Sequence, residues 1–211
     1  MSNKGIIFDL DGTLWDSSEC VVKAWNEVIK TYEDIHYRMT VKAMHGFMGK
    51  TIDEIAKLFF YNISEEKRNE IITKCCIKEH EYLSKNGGVL FPKVEEVIQI
   101  LSSNYKLFIV SNCQVGYIET FLEYHKLKKY FIDFENPGRT GKSKGENIKI
   151  IIDRNHLNHS VYIGDTQGDY NAAKIANIPF IHAKYGFGEI EEPVYYVNSV
   201  SEIPREVRKL I

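Results

Sequence analysis

Two rhythms of apolar and polar positions divide the chain. Gly5-Ile6-Ile7-Phe8 is a short apolar run that ends abruptly in Asp9-Leu10-Asp11-Gly12-Thr13, the pattern of a buried strand delivering acidic groups into a turn. From Asp16 to about Lys85 the apolar positions fall three and four apart instead. They run through Val21, Val22, Trp25, Val28 and Ile29, then Ile55, Leu58 and Phe59, then Ile71, Ile72 and Cys75. This predicts a helical module over 16–85 without a buried strand, its first helix capped by Asp16 or Ser17.

After Gly87-Gly88 strand and helix alternate. Helix Val94 to Leu101 leads to strand Leu107 to Val110, and helix Tyr117 to Tyr124 to strand Tyr130 to Phe134. Helix Glu146 to Asp153 then leads to strand Val161 to Ile163, and helix Tyr170 to Ala176 to strand Phe180 to His182. Asn177 suits a left-handed helix terminator, and the tail adds a strand at Val194 to Val197 and a helix from Ser201 to Leu210. Successive apolar strands joined by helices predict a parallel sheet covered on both faces, an α/β core of 1–15 and 86–211 interrupted by the helical module.

Composition narrows the partners. With 211 residues, one domain plus an insertion fits, and a formal net charge of −2 gives no electrostatic reason to expect nucleic acid or an anionic membrane. The expected partner is a small molecule. No apolar run approaches the roughly 20 residues that cross a bilayer, and no signal-peptide pattern is visible, so a cytoplasmic protein is expected. Cys20, Cys75, Cys76 and Cys113 form no C-x-x-C pair and read as reduced thiols, and no two histidines have the spacing of a helical zinc site.

Ligands of an open parallel sheet bind beyond the carboxyl ends of its strands. In this chain those positions are unusually polar: Asp9 and Asp11, then Ser111 and Asn112, then Gly164, Asp165, Thr166 and Asp169, with Lys142 and Lys144 in a Gly-rich turn at Gly138 to Gly145. Any one of these could simply cap a helix or shape a turn. Together they are costly, because ionised carboxylates about 4 Å apart repel by roughly 1 kcal/mol per pair even in water. A hard divalent cation with oxygen ligands offsets that repulsion, and Mg²⁺ typically takes one or two carboxylates, waters and a substrate phosphate.

In order along the chain, Asp9-Leu10-Asp11-Gly12-Thr13-Leu14, Ser111-Asn112, Lys144 and Gly164-Asp165-Thr166-Gln167-Gly168-Asp169 resemble the four motifs of the haloacid dehalogenase superfamily of hydrolases. The resemblance spans essentially the whole chain and is greatest to the phosphoglycolate phosphatase-like branch, which carries a helical cap between the first and second motifs. It implies a Rossmann-like parallel sheet core with an inserted α-helical cap domain at 16–85. The interval from Ser111 to Lys144 leaves no room for a second large cap.

Carried over to these positions, the resemblance implies a Mg²⁺-dependent phosphatase of a small phosphorylated metabolite. Asp9 would attack phosphorus and Asp11 would act as acid and then base. Ser111, the Asn112 amide and Lys144 would hold the phosphoryl oxygens. Asp9, the Asp11 carbonyl and Asp165 would bind the metal, supported by Asp169, Thr13 and Gly164. The motif lysine is usually followed by proline; here Lys142-Ser143-Lys144 offers two candidates and no proline, with Lys144 preferred because Gly145-Glu146-Asn147 follows as a helix start. Cys113, next to the Ser111-Asn112 motif, could touch the pocket, but a small buried thiol is the preferred reading.

In the module, His45-Gly46-Phe47-Met48-Gly49-Lys50-Thr51 is a glycine-spaced break of the kind that faces the cleft and selects the leaving group in such proteins. Gly46, Gly49, Lys50 and Arg38 are the expected specificity residues, and Leu14 to Ser17 and Ser84 to Gly88 the expected hinges. Asp11 argues against a dehalogenase or phosphonatase, whose leaving groups need no such acid. A sugar-phosphate mutase resembling beta-phosphoglucomutase and a catalytically silent binding module are the alternatives. Phosphoglycolate is the substrate the resemblance suggests, with sugar phosphates, nucleotides and pyrophosphate open.

Overall fold

The structure, a computed structural model, describes residues 3–192 and 194–211. The chain opens with β1 (Lys4–Phe8) and the short β2 (Trp15–Asp16), then enters four helices: α1 (Ser18–Ile29), α2 (Val41–His45), α3 (Ile52–Phe59) and α4 (Glu65–Asn86). It returns through β3 (Val89–Leu90) and continues as α5 (Val94–Ser102), β4 (Lys106–Val110), α6 (Tyr117–Tyr124) and β5 (Phe131–Glu135). The last part comprises α7 (Pro137–Thr140), α8 (Lys144–Arg154), β6 (His159–Gly164), α9 (Gln167–Ala176), β7 (Phe180–Ala183), β8 (Tyr195–Val197) and α10 (Ile203–Leu210).

Six strands form one parallel sheet in the order β5-β4-β1-β6-β7-β8. Its central strands are apolar on both faces because both are covered. Ile6, Phe8, Leu107, Ile109 and Ile163 pack on one side with Val97, Ile98, Phe121 and Val207 from α5, α6 and α10. Ile7, Phe108, Val110 and Tyr162 pack on the other with Ile148, Ile151, Ala172 and Ala173 from α8 and α9. The chain builds outward from β1 through β4 and β5, then reverses through β6. That reversal puts the crevice for ligands at the carboxyl ends of β1, β4 and β6.

The four helices over 18–86 lie between β2 and β3, which pair antiparallel, Trp15 opposite Leu90 and Asp16 opposite Val89. The first expected hinge contains β2, while the second, Ser84 to Gly88, spans the end of α4 and the two glycines that lead into β3; the two-residue strands are too short to show any period in sequence. A Cβ on Gly88 would come within 2.7 Å of the Trp15 ring, so a larger residue there would force the ribbon apart. Within the insertion α1 packs chiefly on α4, through residues such as Trp25, Ile71, Cys75 and Leu83. Of the two expected caps of α1 it is Asp16 that bonds: the Ser18 amide donates to Asp16 Oδ1 at 2.9 Å, and the Ser17 hydroxyl makes no cap bond.

Helices α8 and α9 begin two and three residues earlier than their apolar periodicity indicates. Each opens with a capping box, Ser143 with Glu146 and Thr166 with Asp169, so Glu146 is the third helical residue rather than the first, and Asp169 is the third rather than the one before the helix. The shift puts Lys144 at the first position of α8 and Asp169 in the first turn of α9, both facing β1. Asn177 terminates α9 at φ 57° and ψ 46°, the left-handed form that asparagine tolerates. No helix among the described residues is long and apolar enough to cross a membrane.

Candidate active site

β1 delivers Asp9 fully buried at its carboxyl end, where the Asp9 amide still donates to the Ile163 carbonyl at 2.8 Å. The chain then turns sharply around the Leu10 carbonyl, which accepts the amides of Thr13 and Leu14. Gly12 makes the turn at φ 80°, and a Cβ there would stand 2.2 Å from Asp165 Oδ2. Glycine lets the two acidic loops close on each other.

Lys144 Nζ sits between two carboxylates, 2.9 Å from Asp9 Oδ1 and 2.7 Å from Asp169 Oδ1. Burial works against its charge, but Asp169 and Asp9 outweigh it and hold the ammonium protonated beyond the ordinary lysine range. Lys142, the other candidate, is half exposed and reaches only Glu146. Asp169 is saturated: Oδ2 accepts from the Thr166 amide and hydroxyl, and Oδ1 accepts from Lys144 and, at 3.3 Å, from Tyr162. One residue thus caps α9 and orients the lysine. Gly164 belongs to the same packing, since a Cβ on it would meet Asp169 Cβ at 2.5 Å.

Asp165 completes the acidic group. Ligand oxygens of Asp9, Asp165 and Asp169 lie within 4.8 Å of one another. Asp165 Oδ2 accepts from the Phe187 amide at 2.8 Å, whereas Oδ1 is buried without a hydrogen-bond partner. Burial, then the charges of Asp169 and Asp9, push its carboxyl well above the usual carboxylate range. Asp9 is raised to about 7, first by burial and next by Asp169, with Lys144 pulling it back. A single lysine leaves the three carboxylates short of positive charge, and one Asp165 oxygen among them has no partner. All-oxygen donors of this kind fit a hard divalent cation. Thr13 is buried with its hydroxyl unpartnered, and its carbonyl accepts from the Tyr185 hydroxyl at 2.8 Å.

Asp11 faces a separate hydroxyl network. Its Oδ1 lies 2.7 Å from Ser17 Oγ and 2.9 Å from the Tyr117 hydroxyl, and the two hydroxyls are 2.7 Å apart. Burial raises the Asp11 carboxyl from 3.8 to about 6, while these hydrogen bonds hold it down. Ser111 is buried at the end of β4 and lines the cleft, its amide donating to the Glu135 carbonyl.

The insertion closes down on this edge of the sheet. The Asn112 side chain donates to the Gly49 carbonyl at 2.8 Å, Gln114 Nε2 donates to Glu79 Oε1 at 2.6 Å, and His45 stacks on Phe187 at 4.4 Å. A cleft of about 60 Å³ remains between Asp9 and Asp11 on one side and Trp25, Phe47, Gly49, Lys50 and Glu79 on the other. It adjoins an outer groove of about 970 Å³, with which it shares Ile52, Asn112, Cys113, Gln114 and Tyr117.

Two expected specificity residues are not in the cleft wall. Arg38 turns its guanidinium onto the Ile35 and Tyr37 carbonyls, and Gly46 is the C-terminal cap of α2, at φ −69°. Gly49 and Lys50 do line the cleft, Gly49 at φ 80° with Thr166 against it. Cys113 also differs from expectation. It is half buried in the cleft wall, with burial and then Asp11 pushing its thiol well above the ordinary value, so it stays protonated.

Ser17, Tyr117, Glu79 and Phe187 complete the site and were not singled out by the sequence. Glu79 had a signal: it falls on the inward stripe of α4 that runs through Ile72, Cys75 and Leu83. Phe187 lies between Gly186 and Gly188, and a Cβ on Gly186 would come within 2.4 Å of the Gly12 carbonyl.

Buried Glu79 accepts from Trp25 Nε1 at 2.6 Å as well as from Gln114. Burial raises its carboxyl from 4.5 to about 7 against the pull of these two bonds. A carboxyl raised on folding costs stability as pH climbs past its unfolded value, and the full cost is reached above the folded one. At roughly 1.4 kcal/mol per pH unit, Glu79→Gln is expected to gain about 2 kcal/mol more over wild type at pH 8 than at pH 5. Denaturant unfolding at the two pH values checks this, and a difference independent of pH would contradict it.

The sequence model of the family described as haloacid dehalogenase-like hydrolase matches residues 6–183. The chain belongs to that family. Among its relatives, a Clostridium perfringens protein named as a candidate pyrophosphatase, PpaX, is 26% identical with 98% of both chains covered. A phosphoglycolate phosphatase of Vibrio parahaemolyticus is 23% identical, covering 95% of this chain and 94% of its own. A solved structure from Clostridium acetobutylicum, described as a predicted phosphatase, superposes with a TM-score of 0.80 at 25% identity over the full length of both chains. In this haloacid dehalogenase-like hydrolase, all four motifs meet at the carboxyl edge of the sheet.

Proposed function

We propose that the enzyme is a Mg²⁺-dependent phosphatase that hydrolyses a small phosphomonoester through an aspartyl-phosphate on Asp9. The observation that carries this reading is the pair Asp9 and Asp165, with oxygens within 4.8 Å of each other, one held by Lys144 and the other with an orphaned oxygen. Uncatalysed monoester hydrolysis is so slow that enzymatic accelerations reach the order of 10²¹, which favours splitting the reaction into two displacements.

In the proposed sequence the phosphoryl group sits in the inner cleft with its oxygens toward the Ser111 hydroxyl, the Asn112 amide and Lys144. Asp9 attacks phosphorus while Asp11, protonated, gives its proton to the departing oxygen. Asp11 then takes a proton from the water that attacks the aspartyl-phosphate. A carboxyl near 6 can hold a proton for the first step and accept one in the second, and Ser17 and Tyr117 fix its orientation. Asp9, the Asp11 carbonyl and Asp165 would hold Mg²⁺, which would supply the positive charge that the carboxylates and the phosphate lack. Asp169 keeps Lys144 aimed at Asp9.

The 16–85 module is proposed as the cap, with the β2–β3 ribbon as its hinge and Lys50 meeting a polar part of the substrate. Closure over Asp9 would exclude bulk water. A cytoplasmic setting and a small phosphorylated metabolite as partner belong to the same proposal. The test is phosphate release from p-nitrophenyl phosphate and a metabolite panel, with Mg²⁺ or with EDTA. EDTA is expected to lower turnover by at least about 10²-fold, as loss of an electrostatic stabiliser does, and added Mg²⁺ to restore it. Full activity after chelation would contradict the metal assignment, and isomerisation of a hexose phosphate without net release would favour a mutase.

A further inference from the structure

Glu79 is the one cap carboxylate in the wall of the inner cleft, opposite Asp9 and Asp11 and only 3% exposed. Its fold partners do not require a charge. Trp25 Nε1 and the Gln114 amide are neutral donors, one to each oxygen, and neither supplies a positive charge. Each Glu79 oxygen takes one of these bonds and keeps a free acceptor site. The rest of the cap wall is chiefly apolar, with Val21, Trp25, Ile52 and Ile55 around the carboxylate.

Positive charge is scarce at this depth. Lys144 is committed to Asp9 and Asp169, and Lys50, the one cation in the cleft wall among the described residues, is exposed and screened by solvent. Size adds a second restriction. A cavity of about 150 Å³ is needed to take a benzene ring, whereas about 60 Å³ is open here. With the cap in this position, only a short leaving group stays wholly inside, and a longer one such as a nitrophenyl ring extends into the outer groove.

We propose that Glu79 is a specificity-determining residue that selects esters whose short leaving group carries a hydroxyl or ammonium donor, and rejects esters bearing a carboxylate. A donor on the leaving group fills the free acceptor site of Glu79. Above pH 7, where Glu79 is ionised, a carboxylate would stand beside it without a buried cation to offset it. This deepens the phosphatase reading and rests on it. Phosphoglycolate, the substrate named for several relatives, is on this account a poor one for this enzyme.

The test, at pH 8, uses three two-carbon esters that differ at their far end, 2-hydroxyethyl phosphate, 2-aminoethyl phosphate and phosphoglycolate, with p-nitrophenyl phosphate alongside and Mg²⁺ present. Wild type is expected to favour each of the first two over phosphoglycolate by at least about tenfold in kcat/KM. Glu79→Gln, checked for cooperative unfolding, is expected to narrow both ratios by about tenfold, chiefly through the KM of phosphoglycolate. Phosphoglycolate as the best of the three in wild type would overturn the proposal, as would ratios unchanged in a folded Glu79→Gln. Absence of release from every ester, p-nitrophenyl phosphate included, would instead sink the phosphatase reading and this inference with it.

Discussion

Asp9→Asn is expected to lower phosphate-ester turnover by at least about 10⁴-fold, the scale on which loss of a covalent nucleophile registers, without unfolding the protein. The two effects separate because Asp9 is a poor stabiliser. Its carboxyl is raised to about 7 by burial and by Asp169, so its ionised form costs stability above the unfolded value near 3.8. Asparagine keeps the shape, removes that charge and leaves Lys144 paired with Asp169. In metal-free buffer at pH 8, the thermal midpoint of the variant should equal or exceed that of wild type. Phosphate release and thermal unfolding on the same preparations check both halves, and activity within tenfold of wild type would contradict the role of Asp9.

Lys144→Met should behave differently, losing activity and stability together. Lys144 is the buried cation among Asp9, Asp165 and Asp169, and its removal leaves carboxylates within 4.8 Å of one another uncompensated. Breaking a buried ion pair by deleting one partner typically costs about 3–5 kcal/mol, and loss of a donor to transferring oxygens about 10²–10³ in rate. Denaturant unfolding in metal-free buffer should show that loss. Adding Asp169→Asn in the same chain should recover part of the stability and none of the activity. A loss below about 1 kcal/mol would mean that solvent or protonation relieves the acidic group, and the charge balance drawn here would be wrong.

The parallel sheet was legible because β1, β4 and β6 are buried on both faces and therefore read as unbroken apolar runs. The order of the motifs was legible for the same reason: each follows such a run. Helix starts were not, since periodicity sees apolar residues while α8 and α9 begin with capping boxes made of polar ones. The β2–β3 ribbon was hidden because two-residue strands have no period. Arg38 looked like a substrate ligand on charge alone, but backbone carbonyls nearby already satisfy it.

The residues missed at the site share a cause. Tyr117 and Glu79 lie on helix faces that read as core, and only the fold shows that those faces end at the cleft. A charged residue on the apolar stripe of α4 was the one clue available. Ser17 read as a helix cap, and the structure turns its hydroxyl to Asp11 instead.

The most direct test of the covalent phosphatase account is an acid quench of the Asp11→Asn variant during turnover with Mg²⁺, followed by peptide mapping by mass spectrometry. Without Asp11 to activate water, the account predicts that a phosphoryl group accumulates on the peptide containing Asp9, and that Asp9→Asn in the same background abolishes it. Phosphate release continuing with no adduct on that peptide, or an adduct that survives Asp9→Asn, would contradict it.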